Sequence, residues 1–195
     1  MHPTLYTKRL YLRRFTPADT KALLDILSDP VVNRFLPWFP LTTLAEAEAF
    51  YTHRYAPLYQ LGKGYAYAVC LAENSVPVGY VNLSPEEPYD LGYGLSRAYW
   101  GRGIATEAAR AVVAQARRDG VPYLTATHDV NNPASGRVME RLGMTYQYAY
   151  QELWQPKNRP VVFRLYQMDL DGNHHRTYLG YAENSPQVWW EKIGP

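Results

Sequence analysis

The sequence predicts a mixed α/β layer, with some parallel pairing among the strands in the middle of the chain and antiparallel pairing around them. Two observations carry this. Short β-like runs and helical patterns follow one another in the order β-α-α-β-β-β-α-β-α-β-β. The strand–helix–strand units in the middle need crossovers and therefore parallel neighbours, whereas the hairpin signals around them need antiparallel ones.

The elements justify themselves in order. Leu5 to Arg14 sets Leu5, Leu10, Leu12 and Phe15 against Lys8, Arg9, Arg13 and Arg14, which reads as one strand. Thr16 caps a helix with Pro17 at its first position, and Leu23, Leu24, Ile26 and Leu27 form its apolar stripe. Ser28-Asp29-Pro30 ends it. After the segment Pro37-Trp38-Phe39-Pro40, Thr42 or Thr43 caps a second helix reaching about Tyr59. Gly62-Lys63-Gly64 breaks the chain. Strands follow at Tyr65–Ala72, Val76–Leu83 and Leu91–Leu95, the first two joined through Glu73-Asn74-Ser75. Ile104 to Arg118 is an Ala-rich helix closed by Gly120. Tyr123–Thr127 is a buried strand, and Pro133 to Leu142 a short helix stopped by Gly143. Two further strands, near Thr145–Trp154 and Val161–Leu170, flank a turn around Pro156.

Composition bounds the function. The 195 residues suit one domain, and 47% apolar content suffices for a core. Aromatics are 14% and charged residues 19%, which excludes a disordered chain. A net charge of +2 gives no electrostatic case for nucleic acid. No apolar run approaches the ~18 residues of a membrane span, and no secretory leader is visible at the start. The single Cys70 fits a reducing, cytoplasmic setting. Residues 1–170 carry the domain pattern. The C-terminal extension, Asp171 to Pro195, lacks clear periodicity yet holds Tyr178, Tyr181, Val188, Trp189, Trp190 and Ile193. So apolar a segment is expected to pack on the domain or on a partner subunit, which makes a homodimer one expectation.

The sharpest local feature is Tyr99-Trp100-Gly101-Arg102-Gly103-Ile104-Ala105-Thr106, between a predicted strand and a predicted helix. Two glycines let the backbone turn tightly, and the first-turn N–H groups, with the helix dipole, suit a diphosphate. Three readings compete. A dinucleotide loop needs a third glycine or alanine where Thr106 stands. A nucleoside-triphosphate loop needs Gly-Lys-Ser/Thr, and Gly62-Lys63-Gly64 lacks the hydroxyl. The third is an acyl-coenzyme A pyrophosphate loop.

Around this loop the chain resembles the GNAT family of N-acetyltransferases, in its RimJ/RimL-type ribosomal-protein alanine N-acetyltransferase branch. That family's loop, Gln/Arg-x-x-Gly-x-Gly/Ala, corresponds to Trp100 through Ala105, with Trp100 in the Gln/Arg position as is usual in the branch. Leu91-Gly92-Tyr93-Gly94-Leu95 resembles the branch's strand, with Gly94 replacing an aromatic. Arg9-Leu10-Tyr11-Leu12-Arg13, Val78-Gly79-Tyr80-Val81 and the stretch from Asn132 and Ser135 to Arg141-Leu142-Gly143-Met144 agree in order. The likeness runs from Leu5 to Leu170 and leaves the tail out. It implies a mixed, mostly antiparallel sheet whose central parallel strands splay, with acetyl-CoA in the gap as cosubstrate. The pantetheine arm would lie on Leu95, Ser96 and Arg97, the diphosphate on Arg102, Gly103, Ile104, Ala105 and Thr106, and Asn132 near the acetyl end.

Acetyl transfer to an amine needs a base, an oxyanion donor and an acid for the thiolate. A backbone N–H on the splayed strand, with Leu95 as candidate, is the family's usual oxyanion donor. Ser135 stands where the branch places its acid; read without that likeness, it is a helix residue bonding to backbone. Asp90 and Glu152 compete as base. Asp90 stands where the branch often carries Glu and reads otherwise as a turn residue; Glu152 reads otherwise as a solvated strand residue. His174-His175 beside Asp169 and Asp171 is the best metal cluster, yet adjacent imidazoles rarely share an ion, so no metal is expected. The expected partners are acetyl-CoA and an amine acceptor, either a protein N-terminus or a small molecule, with no nucleic acid and no membrane. A non-catalytic acyl-CoA-binding module is the alternative, and a nucleotide-dependent enzyme a more distant one.

Overall fold

Among the described residues nine strands form two sheets, joined by an isolated bridge. The computed structural model describes residues 3–62 and 65–192; Lys63 and Gly64 of the expected break, and Ile193 of the tail, lie outside the described residues. Strands β1 (Leu5–Tyr6), β2 (Leu10–Arg13), β3 (Tyr65–Leu71), β4 (Pro77–Leu83) and β5 (Leu91–Leu95) pair in that order, all antiparallel. The second sheet runs β6-β8-β7-β9, from β6 (Tyr123–Asp129), β7 (Thr145–Trp154), β8 (Arg159–Asp169) and β9 (Val188–Trp189). Asp90 and Thr125 form an isolated parallel bridge where β5 and β6 begin. This is the expected mixed, mostly antiparallel α/β architecture with splayed central strands.

The helices are α1 (Thr20–Leu27), α2 (Pro30–Asn33), α3 (Leu44–Phe50), α4 (Ala56–Leu61), α5 (Ile104–Arg118), α6 (Pro133–Leu142) and α7 (Gly180–Glu183). Helix α5 buries Ile104, Ala108, Ala109, Val112 and Ala116 on a core shared by β1 to β6. Helices α1 and α3 cover the other face of the first sheet, around Phe15, Leu23, Ile26 and Tyr55. A third cluster, Tyr148, Tyr150, Trp154, Phe163 and Leu165, takes Tyr181, Ala182 and Val188 from the tail.

Three elements differ from the sequence expectation. The first strand is a hairpin: Thr7 N–H donates to Leu10 O at 2.8 Å and splits it into β1 and β2. Asp29 and Pro30 end α1 and also start α2, since Asp29 Oδ1 accepts from Val31 N–H at 2.8 Å. The second helix is α3, a π-helical turn at Tyr51–Tyr55, and α4. Thr43, rather than Thr42, caps it, in a capping box with Glu46.

Small residues set the sheet's tightest approach. A Cβ at Gly79 would lie 2.3 Å from the Gly94 carbonyl oxygen and 2.4 Å from Leu95 Cδ2. One at Gly94 would strike the Tyr80 ring at 2.6 Å, so that ring fills the space left by the aromatic missing at Gly94. The obstacle at Gly79 is mainly backbone, which cannot rotate aside. Gly79→Ala is expected to cost about 1–3 kcal/mol in denaturant unfolding, by forcing β4 and β5 apart. An unchanged midpoint would show that the strands relax freely.

Candidate active site

The gap between the sheets opens beyond the Asp90–Thr125 bridge. Ser84 N–H donates to Asp90 O at 3.0 Å and Ser96 N–H to Val78 O at 2.9 Å. In antiparallel alternation the even-numbered β5 residues therefore bond β4, and the backbone groups of Tyr93 and Leu95 face the gap. Side chains divide in the same way. Leu91, Tyr93 and Leu95 lie on the α5 and α6 side. Asp90, Gly92 and Gly94 lie on the opposite face, and beside Gly92 there is only open space. The strand thus borders a cleft of about 1550 Å³ that also takes in Trp38, Thr106, Asn132, Ser135 and Glu152.

At one end of the cleft is the glycine loop. Gly101 and Gly103 take φ of +72° and +74°, left-handed conformations that glycine adopts without strain. Gly103 caps α5, and the helical ladder begins only with Glu107 N–H to Gly103 O at 3.0 Å. The N–H groups of the first turn have no intrahelical partner, and the Thr106 hydroxyl is buried without one. These donors and the bare glycine backbone fit a diphosphate. Trp100 donates its indole N–H to Leu95 O at 2.9 Å, fastening the loop to the end of β5. Glu107 accepts from Thr7 Oγ1 at 2.6 Å and Arg9 Nε at 2.7 Å, while Arg9 Nη1 donates to Arg102 O at 3.0 Å. The β1–β2 turn therefore braces the loop from behind. Arg9→Ala is expected to weaken coenzyme A binding about threefold to tenfold, the effect of one neutral-acceptor hydrogen bond plus part of an exposed ion pair. Calorimetric titration reads it, and unchanged affinity would show that the brace is dispensable.

The structure places the remaining sequence candidates individually. Ser96 gives its N–H to β4, and Arg97 pairs with Asp29 at 3.0 Å. Asn132 caps α6 through Ser135 N–H at 3.4 Å and lines the cleft. Ser135 sits in the first turn of α6, where Tyr93 Oη donates to its carbonyl at 2.7 Å and lies 3.1 Å from its Oγ. Asp90 Oδ1 is sealed from solvent without a hydrogen-bond partner, and burial pushes the carboxyl up from 3.8 to about 6. Glu152 is exposed but stands between buried Tyr150 and Trp154 on one face of β7, and burial of its surroundings raises it too. Both carboxylates line the cleft.

Other groups settle elsewhere. Asp171 and Asp169 face Arg176, at 2.8 and 3.7 Å, and His174 lies 4.0 Å from Asp169. Among the described residues no group of three or more His, Cys, Asp or Glu is placed to hold a metal. Cys70 is buried, and burial pushes its thiol up. No described helix is long and apolar enough to cross a membrane. Sequence reasoning missed Tyr93 and Tyr181 as site residues. The strand alternation around Leu91 to Leu95 carried a signal for the first; nothing local marked the second.

The comparisons agree with this geometry. Residues 9–145 match the model of the acetyltransferase (GNAT) domain. The chain is 28% identical over 148 residues to YnaD of Bacillus subtilis, an uncharacterised N-acetyltransferase, covering 74% of this chain and 82% of that protein. It is 29% identical over 114 residues to the N-acetyltransferase p20 of Bacillus licheniformis, 56% of this chain, and spans 64% of that protein's length. The solved structure of RimL, a ribosomal L7/L12 α-N-protein acetyltransferase in complex with coenzyme A, superposes with a TM-score of 0.76 at 20% identity, over 87% of this chain and 99% of that one. A splayed sheet, a glycine loop opening α5 and a matched domain over most of the chain lead to one assignment: this chain belongs to the GNAT family of acetyltransferases.

Proposed function

We propose that this acetyltransferase moves the acetyl group of acetyl-CoA directly to a primary amine, a protein N-terminus or a small amine, within a ternary complex. The observation that carries the reading is Asp90, half-buried on the open face of the splayed strand, with its Oδ1 sealed from solvent and without a hydrogen-bond partner, and its carboxyl pushed up to about 6 by burial. A base must free the amine of its proton, and a pKa near working pH suits that task.

The two faces of β5 suggest the division of labour. The amine arrives on the Asp90 side and gives its proton to that carboxylate. Its nitrogen bonds the thioester carbon as the C–S bond breaks. The developing oxyanion meets the backbone N–H at Leu95 or Tyr93 on the gap edge. The thiolate leaves on the other side, where Ser135 supplies a proton and is reprotonated from solvent, while the second proton that the nitrogen loses in becoming an amide passes to solvent. Tyr93 holds α6, and with it Ser135, against the strand. Glu152 flanks the path of the incoming ammonium. The diphosphate rests on residues 102–106 and the pantetheine amides on the Tyr93–Leu95 edge, which supports positioning as a large part of the rate.

The test is release of free thiol from acetyl-CoA across amines and peptides with free N-termini. Thiol release that requires the amine supports the reading. Binding of acetyl-CoA without amine-dependent release from any member would replace it with a non-catalytic acyl-CoA-binding module.

A further inference from the structure

The segment after β8 lies beyond the residues that match the family domain, yet it reaches the cleft. Several bonds fasten it to the second sheet. Tyr148 Oη donates to Tyr178 O at 2.7 Å, and Tyr178 N–H to Gln167 Oε1 at 2.9 Å. Ser185 Oγ donates to Gln151 O at 2.9 Å, and β9 pairs with β7 at Ala149 and Tyr150. Between these anchors α7 projects Tyr181. The approach is tight, because a Cβ at Gly180 would lie 2.3 Å from the Tyr178 hydroxyl.

Tyr181 lies flat on Tyr150, with ring centroids 5.0 Å apart and planes 3° apart. Tyr178 meets Tyr181 edge-on at 5.2 Å. Tyr150 in turn bonds Thr127 of β6. Both stacked rings line the cleft, as do Asp90 and Glu152. Burial first, and then the nearby Asp90 carboxylate, hold the Tyr181 hydroxyl protonated. The wall is therefore aromatic, with uncharged hydroxyls and two acidic neighbours.

The geometry points to Tyr181 as an acceptor-specificity residue supplied by the C-terminal segment: it completes, with Tyr150, an aromatic wall for the carbons next to an ammonium that Asp90 and Glu152 attract. This rests on the proposed amine acetylation. The substrate class that fits is a primary amine with apolar or aromatic carbon close to the nitrogen. A compact hydrophilic amine leaves the wall unused.

Steady-state kinetics on the full chain tests this, with phenethylamine, ethanolamine and a hexapeptide bearing a free α-amino group as probes. Wild type is expected to favour phenethylamine or the peptide over ethanolamine. Tyr181→Ala is expected to raise the acceptor KM about tenfold, the worth of one aromatic contact, with the acetyl-CoA KM unchanged. Tyr181→Leu, which keeps apolar volume and holds the segment down, raises it similarly, while Tyr181→Phe retains nearly wild-type KM. Trp190→Ala, which removes a ring packed on Tyr148 at 5.2 Å, lowers Tm without moving the acceptor KM. An unchanged acceptor KM in both Tyr181→Ala and Tyr181→Leu, or equal rises for phenethylamine and ethanolamine, overturns the assignment while leaving amine acetylation intact. Wild type that releases no thiol with any probe overturns both.

Discussion

Replacing Gly103 with valine is expected to lower affinity for coenzyme A about 100-fold, a loss of ~3 kcal/mol. Two effects combine. Gly103 holds φ at +74°, where a β-branched residue is strained by roughly 1–2 kcal/mol or more. The side chain would also stand where, in the proposed function, the backbone meets the diphosphate at the mouth of α5. Space alone is not the obstacle, since a Cβ there would meet only Arg9 Nη2, at 3.6 Å. The backbone conformation is what the substitution attacks. Gly120→Val is the matched control, because Gly120 has φ of +79° and lies at the far end of the same helix. Both variants should lose stability, and only Gly103→Val should lose coenzyme affinity in calorimetric titration. Equal affinities in the two variants would detach the loop from the diphosphate.

Asp90→Asn should change activity and stability in opposite directions. As general base the carboxylate must be ionised, so kcat/KM falls as pH drops through about 6. The asparagine variant is expected to lose about 100- to 1000-fold in kcat/KM and to lose that acidic limb. Glu152→Gln should keep the limb; if Glu152→Gln removes it instead, the roles of the two carboxylates exchange. The stability sign follows from the direction of the shift. Burial raises the folded carboxyl above its ordinary 3.8, so the folded chain binds more protons between about pH 4 and 6. Stability therefore rises as pH falls through that window, and above it the buried charge is a net cost. A neutral asparagine relieves part of this cost, so at pH 7.5 the variant should be about 1–2 kcal/mol more stable than wild type. Denaturant unfolding at pH 7.5 and pH 5 reads it. A variant less stable than wild type at pH 7.5 would mean that the charge has a partner in solution.

What the sequence revealed divides along the range of the forces involved. Helices α5 and α6 were legible to the residue, because Gly103, Pro133, Gly143 and the alanine run are local signals. Strand β5 was equally legible from Leu91-Gly92-Tyr93-Gly94-Leu95. The β1–β2 turn was not, because Thr7 and Arg9 are held by Glu107, about a hundred residues away in the chain. Asp90 read equally well as a turn residue, since its desolvation is created by the packed cleft rather than by its neighbours in sequence. Tyr181 was invisible as a site residue, since its position depends on Tyr148, Tyr150 and Gln167, none of them near it in the chain.

The single bridge between the sheets has a consequence for solubility. An unpaired strand edge is ordinarily a template for aggregation, because any extended chain can add to it. Here the edge at Tyr93 and Leu95 is recessed between β6 and α6, inside a wedge that narrows to one residue pair at Asp90 and Thr125. In the proposed function that edge takes a thin chain with amides a few bonds apart, the pantetheine arm. The fold thus keeps an open hydrogen-bonding edge while setting it back within the cleft, between β6 and α6.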